Sequence, residues 1–243
     1  MDSEISALEQ LNHKRRAIRL LLSSSEPADA LASYYALWHD PHRTYLHVHY
    51  SAAHKADGFI TVSQTGADLF RPLVTLRASS RAVAAELLHA ALTPQRPYHI
   101  IVPLKLASVI RDHLVLQESA LNHIYTLDAM RYQPVINVLV QRVTSPEGGV
   151  RFQIESQGRI AALSGTNWRS PSFGEVFVYV HPDSRGRGWG KSVVSACTTA
   201  LLEERVRPLY IVEEGNEASI HIAQSLGYID TGLREFAAEG QLR

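Results

Sequence analysis

Val180-His181-Pro182-Asp183-Ser184-Arg185-Gly186-Arg187-Gly188-Trp189-Gly190-Lys191 is the stretch that decides how this chain is read. The apolar run before it, Val176-Phe177-Val178-Tyr179-Val180, has the composition of a strand and stops at a proline. An arginine- and glycine-rich loop follows, then a helical stretch from Lys191 to Glu204. The three glycines let the backbone curl with its N–H groups turned inward. The helix opened by the loop carries a partial positive charge at its N-terminus. Arg185, Arg187 and Lys191 add full charges. Such a loop cradles a diphosphate at the end of a strand.

Two phosphate motifs are excluded by spacing. The P-loop pattern G-x-x-x-x-G-K-[ST] matches only in its tail, Gly190-Lys191-Ser192, because Arg185 stands where its first glycine belongs. The dinucleotide pattern G-x-G-x-x-G fails because Gly190 follows Gly188 one residue too early. The pattern present is R-x-x-G-x-G, preceded by Val180-x-Pro182. In this the segment resembles the coenzyme A loop of the GNAT superfamily, the N-acetyltransferases related to the yeast histone acetyltransferase. A second segment agrees. Pro208 to Glu213 reads as a strand, and Asn216, Ser219, Ile222, Leu226, Gly227 and Tyr228 fit the family pattern N-x-x-[AS]-x-x-φ-Y-x-x-L-G-[FY]. Ala223 stands where the family carries the tyrosine that usually protonates the leaving thiolate. The resemblance covers residues 150 to 236.

The resemblance implies a fold and a chemistry. The fold is α/β: a mixed, mostly antiparallel sheet of the GNAT type, flanked by helices. The co-substrate is acetyl-coenzyme A or another acyl-coenzyme A, and no metal is needed. The loop Arg185, Gly186, Arg187, Gly188, Trp189, Gly190, Lys191 and Ser192 would take the diphosphate. The pantetheine arm would pair as an added strand with Val178, Tyr179 and Val180, and Asn216 would touch it while also capping a helix. The acyl group would pass directly to an amine. Because an alkyl ammonium has a pKa of about 10.4, a base must deprotonate it. Glu175, at the start of the strand leading to the loop, is the first candidate; Glu213 and Glu214 are rivals, and each also reads as an ordinary strand-end carboxylate. With Ala223 in place, the leaving-group proton falls to Tyr228, His221 or Tyr210, although core packing is the simpler reading of Tyr228 after Gly227.

Composition sets the bounds. The chain has 243 residues, 45% of them apolar, enough for a substantial core. Lys plus Arg and Asp plus Glu are 24 each, so net charge is zero, against a general nucleic-acid binder. Cys197 alone allows no internal disulfide and reads as a small buried hydrophobe. No apolar run is long enough for a membrane span, and the acidic N-terminus lacks the regions of a signal peptide. The expectation is a soluble cytoplasmic protein with a small-molecule amine partner and no nucleic-acid or membrane partner; a homodimer is compatible with the sequence. A histidine cluster from His39 to His49 places His47 and His49 on one strand face. Half-exposed strand histidines are common, and metal sites are expected to be none.

The first half repeats the order of the second. Helices are expected over Leu8 to Leu22 and Ala28 to Trp38. Strands follow at Thr44 to Tyr50, Phe59 to Ser63 and Pro72 to Arg77, then a helix at Ser80 to Leu92, a strand at Tyr98 to Val102, a helix at Leu106 to His113 and a strand at Val115 to Leu127. The second half shows strands at Val150 to Glu155, Arg159 to Leu163 and Glu175 to Val180, a helix from Lys191, a strand to Glu213, a helix to Leu226 and a strand to Phe236. An apolar strand, Pro134 to Val143, and the turn Ser145-Pro146-Glu147-Gly148-Gly149 precede it. Two tandem GNAT-like halves result: residues 1–130, whose Leu76-Arg77-Ala78-Ser79-Ser80-Arg81 lacks the glycine loop, and a catalytic half, 131–243. This organisation resembles the glycine N-acyltransferase-like branch. The function expected is an N-acyltransferase, most simply an N-acetyltransferase, acting on a primary amine of a small molecule or amino acid. The alternative is a non-catalytic acyl-coenzyme A sensor.

Overall fold

The computed structural model describes all residues except 1, 67, 146 and 147. Pro146 and Glu147 of the turn expected before Val150 therefore lie outside the described residues. The chain divides into two compact units, Met1–Asn122 with Arg234–Arg243, and His123–Leu233. The last ten residues thus group with the first unit, against their order in the sequence.

The first unit begins with α1 (Asp2–Ile18) and the short α2 (Ala30–Ser33), which continues as a π turn, Tyr34–Trp38. Strands β1 (Thr44–Tyr50), β2 (Ala56–Ser63) and β3 (Leu73–Ala78) form an antiparallel meander. Helix α3 (Arg81–Ala91) crosses to β4 (Pro97–Pro103), parallel to β3, and α4 (Ala107–His113) leads into the long β5 (Leu114–Leu127). Period-2 alternation along β2 separates two cores. Ile60 joins Val74, Leu76 and Ile100 under α3 and α4, whereas Phe59 joins Leu46 and Val48 under α1 and α2.

In the second unit, β6 (Gln141–Thr144), β7 (Val150–Ser156), β8 (Arg159–Arg169) and β9 (Phe173–Val180) run antiparallel in sequence order. Helix α5 (Trp189–Glu203) crosses to β10 (Arg207–Glu213), which is parallel to β9. Helix α6 (Glu217–Ser225) leads to β11 (Tyr228–Leu242). The other neighbour of β10 is β5, whose residues 123–127 belong to this unit. The end of β11 returns to the first unit, where Glu235 to Gln241 pair antiparallel with β4. Each unit thus completes its sheet beside its parallel pair with a strand segment from the other end of the chain's order. Among the pairings described, β3–β4 and β9–β10 are parallel, and the sheet is mostly antiparallel, as the sequence led us to expect.

Helix α5 shows why the second core forms. Val193, Val194, Cys197 and Leu201 recur at helical spacing, are all buried, and meet Ile154, Ala162 and Val176 of the sheet. Burying each such side chain contributes about 1.5–3 kcal/mol. Phe173 is covered by the Arg207 guanidinium, 3.9 Å from its ring centroid.

One expected element is corrected. Residues 134–143 do not form a strand; only Gln141–Thr144 does. Pro134 has no N–H, and the Val135 N–H goes to Ser195 Oγ (2.8 Å) on α5. Tyr132 and Asn137 likewise bind α5, at Thr199 and Ser192. The segment is strapped to the helix by side chains, and Ile136 and Val138 stay over 90% exposed, at 92% and 95%.

Gly227 sits at φ +90, where a Cβ would stand 2.9 Å from the Arg131 backbone. Left-handed strain and this clash act together. Gly227→Ala is expected to destabilise by about 2 kcal/mol or more, lowering the thermal midpoint by about 5 °C in a melt followed by circular dichroism.

Candidate cofactor cleft

The site begins where two strands stop pairing. Strands β9 and β10 are matched from Phe173↔Arg207 to Val176↔Tyr210 and no further. Beyond that point β9 continues against β8 alone, from Phe177↔Gly165 to Val180↔Ala162. Backbone groups alternate sides along a strand. The His181 N–H goes to Ala161 O (2.9 Å), and the Phe177 carbonyl accepts from Ser164 Oγ (2.7 Å). The odd-numbered residues therefore serve β8, and the N–H and C=O groups of Val178 and Val180 face the open edge. The backbone of Tyr179 faces β8, and its side chain is 48% exposed outside the cleft. Tyr179, expected to hold the cofactor, does not face it.

The loop after β9 makes a short 3-10 turn, Pro182–Ser184, and then two left-handed glycines, Gly186 (φ 76) and Gly188 (φ 74). Gly188 caps α5. The first helical bond is Ser192 N–H to Gly188 O, so the N–H groups of Trp189, Gly190 and Lys191 precede it and point out of the helix end. Gly190 answers a different demand. A Cβ there would lie 2.8 Å from Val180 Cγ2 and 3.0 Å from Ile222 Cδ1, so only glycine lets α5 approach both β9 and α6 this closely.

A cleft of about 680 Å³ opens here. Val178 and Val180 line one side, Ser184 to Lys191 one end, and Asn216, Ala218, Ser219, His221, Ile222 and Ser225 the other side. Arg185, Arg187 and Lys191 all contribute, and among the described residues no carboxylate lines the cleft. The Arg187 guanidinium lies 5.0 Å from the Trp189 ring centroid, which holds both side chains at the mouth. Asn216 Oδ1 accepts from Ser219 N–H (3.2 Å), capping α6 while its residue lines the cleft. Ser192 is buried beneath the loop; its hydroxyl bonds Gly188 O (3.2 Å) and accepts from Asn137 Nδ2 (3.1 Å), so it braces the loop instead of facing the cleft. The wall formed by α6 was missed in sequence, although Ala218, Ser219, Ile222 and Ser225 fall on one helical face.

Glu175 points to the sheet face opposite α5. Its neighbours in alternation, Gly174 and Val176, meet Leu201 and the α5 core. Glu175 is half-buried, and desolvation pushes its carboxyl above the usual carboxylate range. Asn167 Nδ2 donates to it (2.8 Å) and, with the Trp168 indole, opposes that rise. It sits one residue before the last pair of β9 with β10. Of its rivals, Glu214 lies 3.5 Å from His123, and both Glu213 and Glu214 are exposed.

Tyr228 does not reach the cleft. It is buried under α5, its hydroxyl 2.7 Å from Thr198 Oγ1, with its phenol pushed well above the ordinary range by burial. Ala223 is fully buried in the same core. Cys197 is buried too, and burial pushes its thiol up to about 12, so it is no nucleophile at neutral pH. His221 lines the cleft. In the first unit His49 is held by Asp57 (2.6 Å) and Glu86 (3.2 Å), and among the described residues no group of three or more His, Cys, Asp or Glu could hold a metal ion. Among them also, no helix is long and apolar enough to cross a membrane.

Comparison with known proteins agrees with this geometry. The model of the FR47-like protein family matches residues 156–237, about a third of the chain, spanning β8 to β11. No curated protein matches. Among solved structures, an acetyltransferase from the GNAT family from Colwellia psychrerythraea superposes with a TM-score of 0.57 at 13% identity, covering 98% of this chain and 97% of that one. A GCN5-related N-acetyltransferase from Kribbella flavida gives 0.57 at 15% identity, over 76% and 87%. A tandem GNAT protein from the clavulanic acid biosynthesis pathway gives 0.53 at 14% identity, over 82% and 83%. At such identities the likeness is one of fold. The fold is of the GNAT type, and one of these neighbours is itself a tandem protein.

Because the Asn167 hydrogen bond favours the charged carboxylate, Asn167→Ala is expected to raise the Glu175 pKa further. A carbon-13 carboxyl titration by NMR reads this directly; a downward shift or none would show that burial acts alone.

Proposed function

We propose that the chain is an acyl-coenzyme A dependent N-acyltransferase, with acetyl the simplest acyl group and a primary amine of a small molecule or amino acid as acceptor. The observation that carries this is the open edge of β9 running into the glycine loop at the N-terminus of α5, with three cations and no carboxylate around it. The diphosphate fits the inward N–H groups and Arg185, Arg187 and Lys191. The two amides of the pantetheine arm match the free backbone groups of Val178 and Val180, completing the strand edge. A backbone N–H at that edge, near Val180, would hold the oxyanion. Two-part organisation of the chain supports an amino-acid acceptor, by its resemblance to the glycine N-acyltransferase-like branch.

In this reading Glu175 accepts the proton of the incoming ammonium, directly or through water. The nitrogen lone pair then attacks the thioester carbonyl, and collapse of the tetrahedral adduct breaks the C–S bond. A raised carboxyl pKa moves the base closer to working pH, which improves proton transfer. The base acts only when ionised, so turnover rises with pH and levels off above the Glu175 pKa, placing that limb above the ordinary carboxylate range. Among the cleft residues there is no tyrosine. This favours, as second reading, an acyl-coenzyme A sensor; tight coenzyme binding with no transfer to a broad amine panel would establish it.

Calorimetric titration with acetyl-coenzyme A is expected to give one site per chain. Gly188→Asp should abolish binding, through a strained φ of +74 and a negative charge beside the diphosphate. Two sites, or unchanged binding in that variant, would overturn the assignment. Glu175→Gln is expected to lower turnover by about 10²-fold or more with coenzyme affinity unchanged.

A further inference from the structure

Tyr210 is the residue at which the paired part of β10 ends, opposite Val176. It is 1% exposed, and its hydroxyl lies 3.1 Å from Ser219 Oγ. Ser219 belongs to the cleft wall on α6. The pair therefore joins the closed end of the open strand edge to the cleft lining. The inference rests on the coenzyme A reading above. From the diphosphate to the sulfur the pantetheine arm has about twelve bonds, the span of about four extended residues. An arm laid along β9 from Val180 ends at Val176, beside Tyr210.

We propose that Ser219, positioned by Tyr210, donates the hydrogen bond that receives the sulfur of coenzyme A as it departs. With Tyr210 as the donor of the hydrogen bond they share, Ser219 is left to turn its own O–H into the cleft. Its backbone N–H is already used by Asn216 Oδ1, so the hydroxyl is not needed to cap α6. In the transfer, the N–C bond forms and the C–S bond breaks with its electron pair on sulfur. The ammonium proton taken by Glu175 before attack passes on to water, and the second proton leaves the adduct nitrogen to Glu175 or water as the adduct collapses. The sulfur leaves as thiolate, stabilised by Ser219, and is protonated from water on release. Complete proton transfer from the tyrosine is not part of this step: burial holds the Tyr210 phenol at about 12, above a thiol near 8.5. The arrangement does with a serine–tyrosine pair what Ala223, fully buried and without a donor, cannot do.

The test needs binding only, not turnover. Coenzyme A bound to the full-length protein is titrated between about pH 6 and 9.5, following thiolate absorbance near 240 nm, a window in which a cysteine near 8.5 would interfere but Cys197, at about 12, does not. A donor aimed at sulfur should lower the bound thiol pKa, and a hydrogen bond to a charged group is worth about one unit. Ser219→Ala should raise that pKa by about one unit with affinity for the neutral thiol form, measured near pH 6, unchanged; Tyr210→Phe should raise it by less. His221→Ala should leave it in place. An equal pKa in wild type and Ser219→Ala, or a shift produced by His221→Ala instead, would overturn the inference while the coenzyme reading stands. Failure of coenzyme A to bind at all would overturn both.

Discussion

The second unit depends on one local mismatch: β10 stops pairing with β9 at Tyr210 while β9 runs on to Val180. A strand edge left open inside a protein exposes peptide N–H and C=O groups, and each such group left unsatisfied and out of water costs about 1–3 kcal/mol. Val178 and Val180 turn such groups toward the cleft instead of toward a neighbouring strand. The gap is held open by close packing at its upper end. Gly190 brings α5 against Val180 and Ile222 at distances that no side chain would permit, so α5 packs between β9 and α6 at that end.

The two units show how little must change to close such a site. Both have three antiparallel strands, a crossover helix, a parallel strand and a second helix. In the first unit β3 reaches α3 through Ser79-Ser80, and Ser80 Oγ accepts from Val83 N–H. That cap takes the Val83 N–H, and no glycine loop precedes the helix to curl further N–H groups inward. In the second unit the cap is a left-handed glycine with no side-chain acceptor, and the helix end is left to a ligand. Overall neutrality of the chain conceals this local asymmetry, because three cations converge on the cleft while the nearest acidic residue of the loop, Asp183, is paired with Arg159 at 2.7 Å.

Burial sorts the reactive side chains by role. Tyr228 lies under α5 and Cys197 on the buried face of α5, with burial suppressing ionisation, and their hydrogen bonds to Thr198 and Ser164 satisfy them as core groups. Glu175, on the opposite face, is only half-buried and keeps a donor from Asn167, which opposes the rise in pKa that desolvation causes.

The glycine spacing, the proline after Val180 and the charges of the loop are local properties, so they were legible in the chain: glycine alone tolerates φ near +75 at 186 and 188, and the helix begins where those residues end. The strand–strand–strand–helix–strand–helix order was legible for the same reason, through apolar periodicity. Other features are set by contacts between segments far apart in sequence. The segment from Pro134 to Val143 reads as an apolar strand, but serines on α5 take the hydrogen bonds of Val135 and Asn137. Tyr179 reads as a cofactor residue, but register with β8 turns its backbone away. Tyr228 fits its motif, yet the packing of α5 over it keeps it from the cleft. Which segment completes each sheet beside its parallel pair was likewise decided in three dimensions, because strand pairing is a choice among distant partners that hydrophobic pattern alone leaves degenerate.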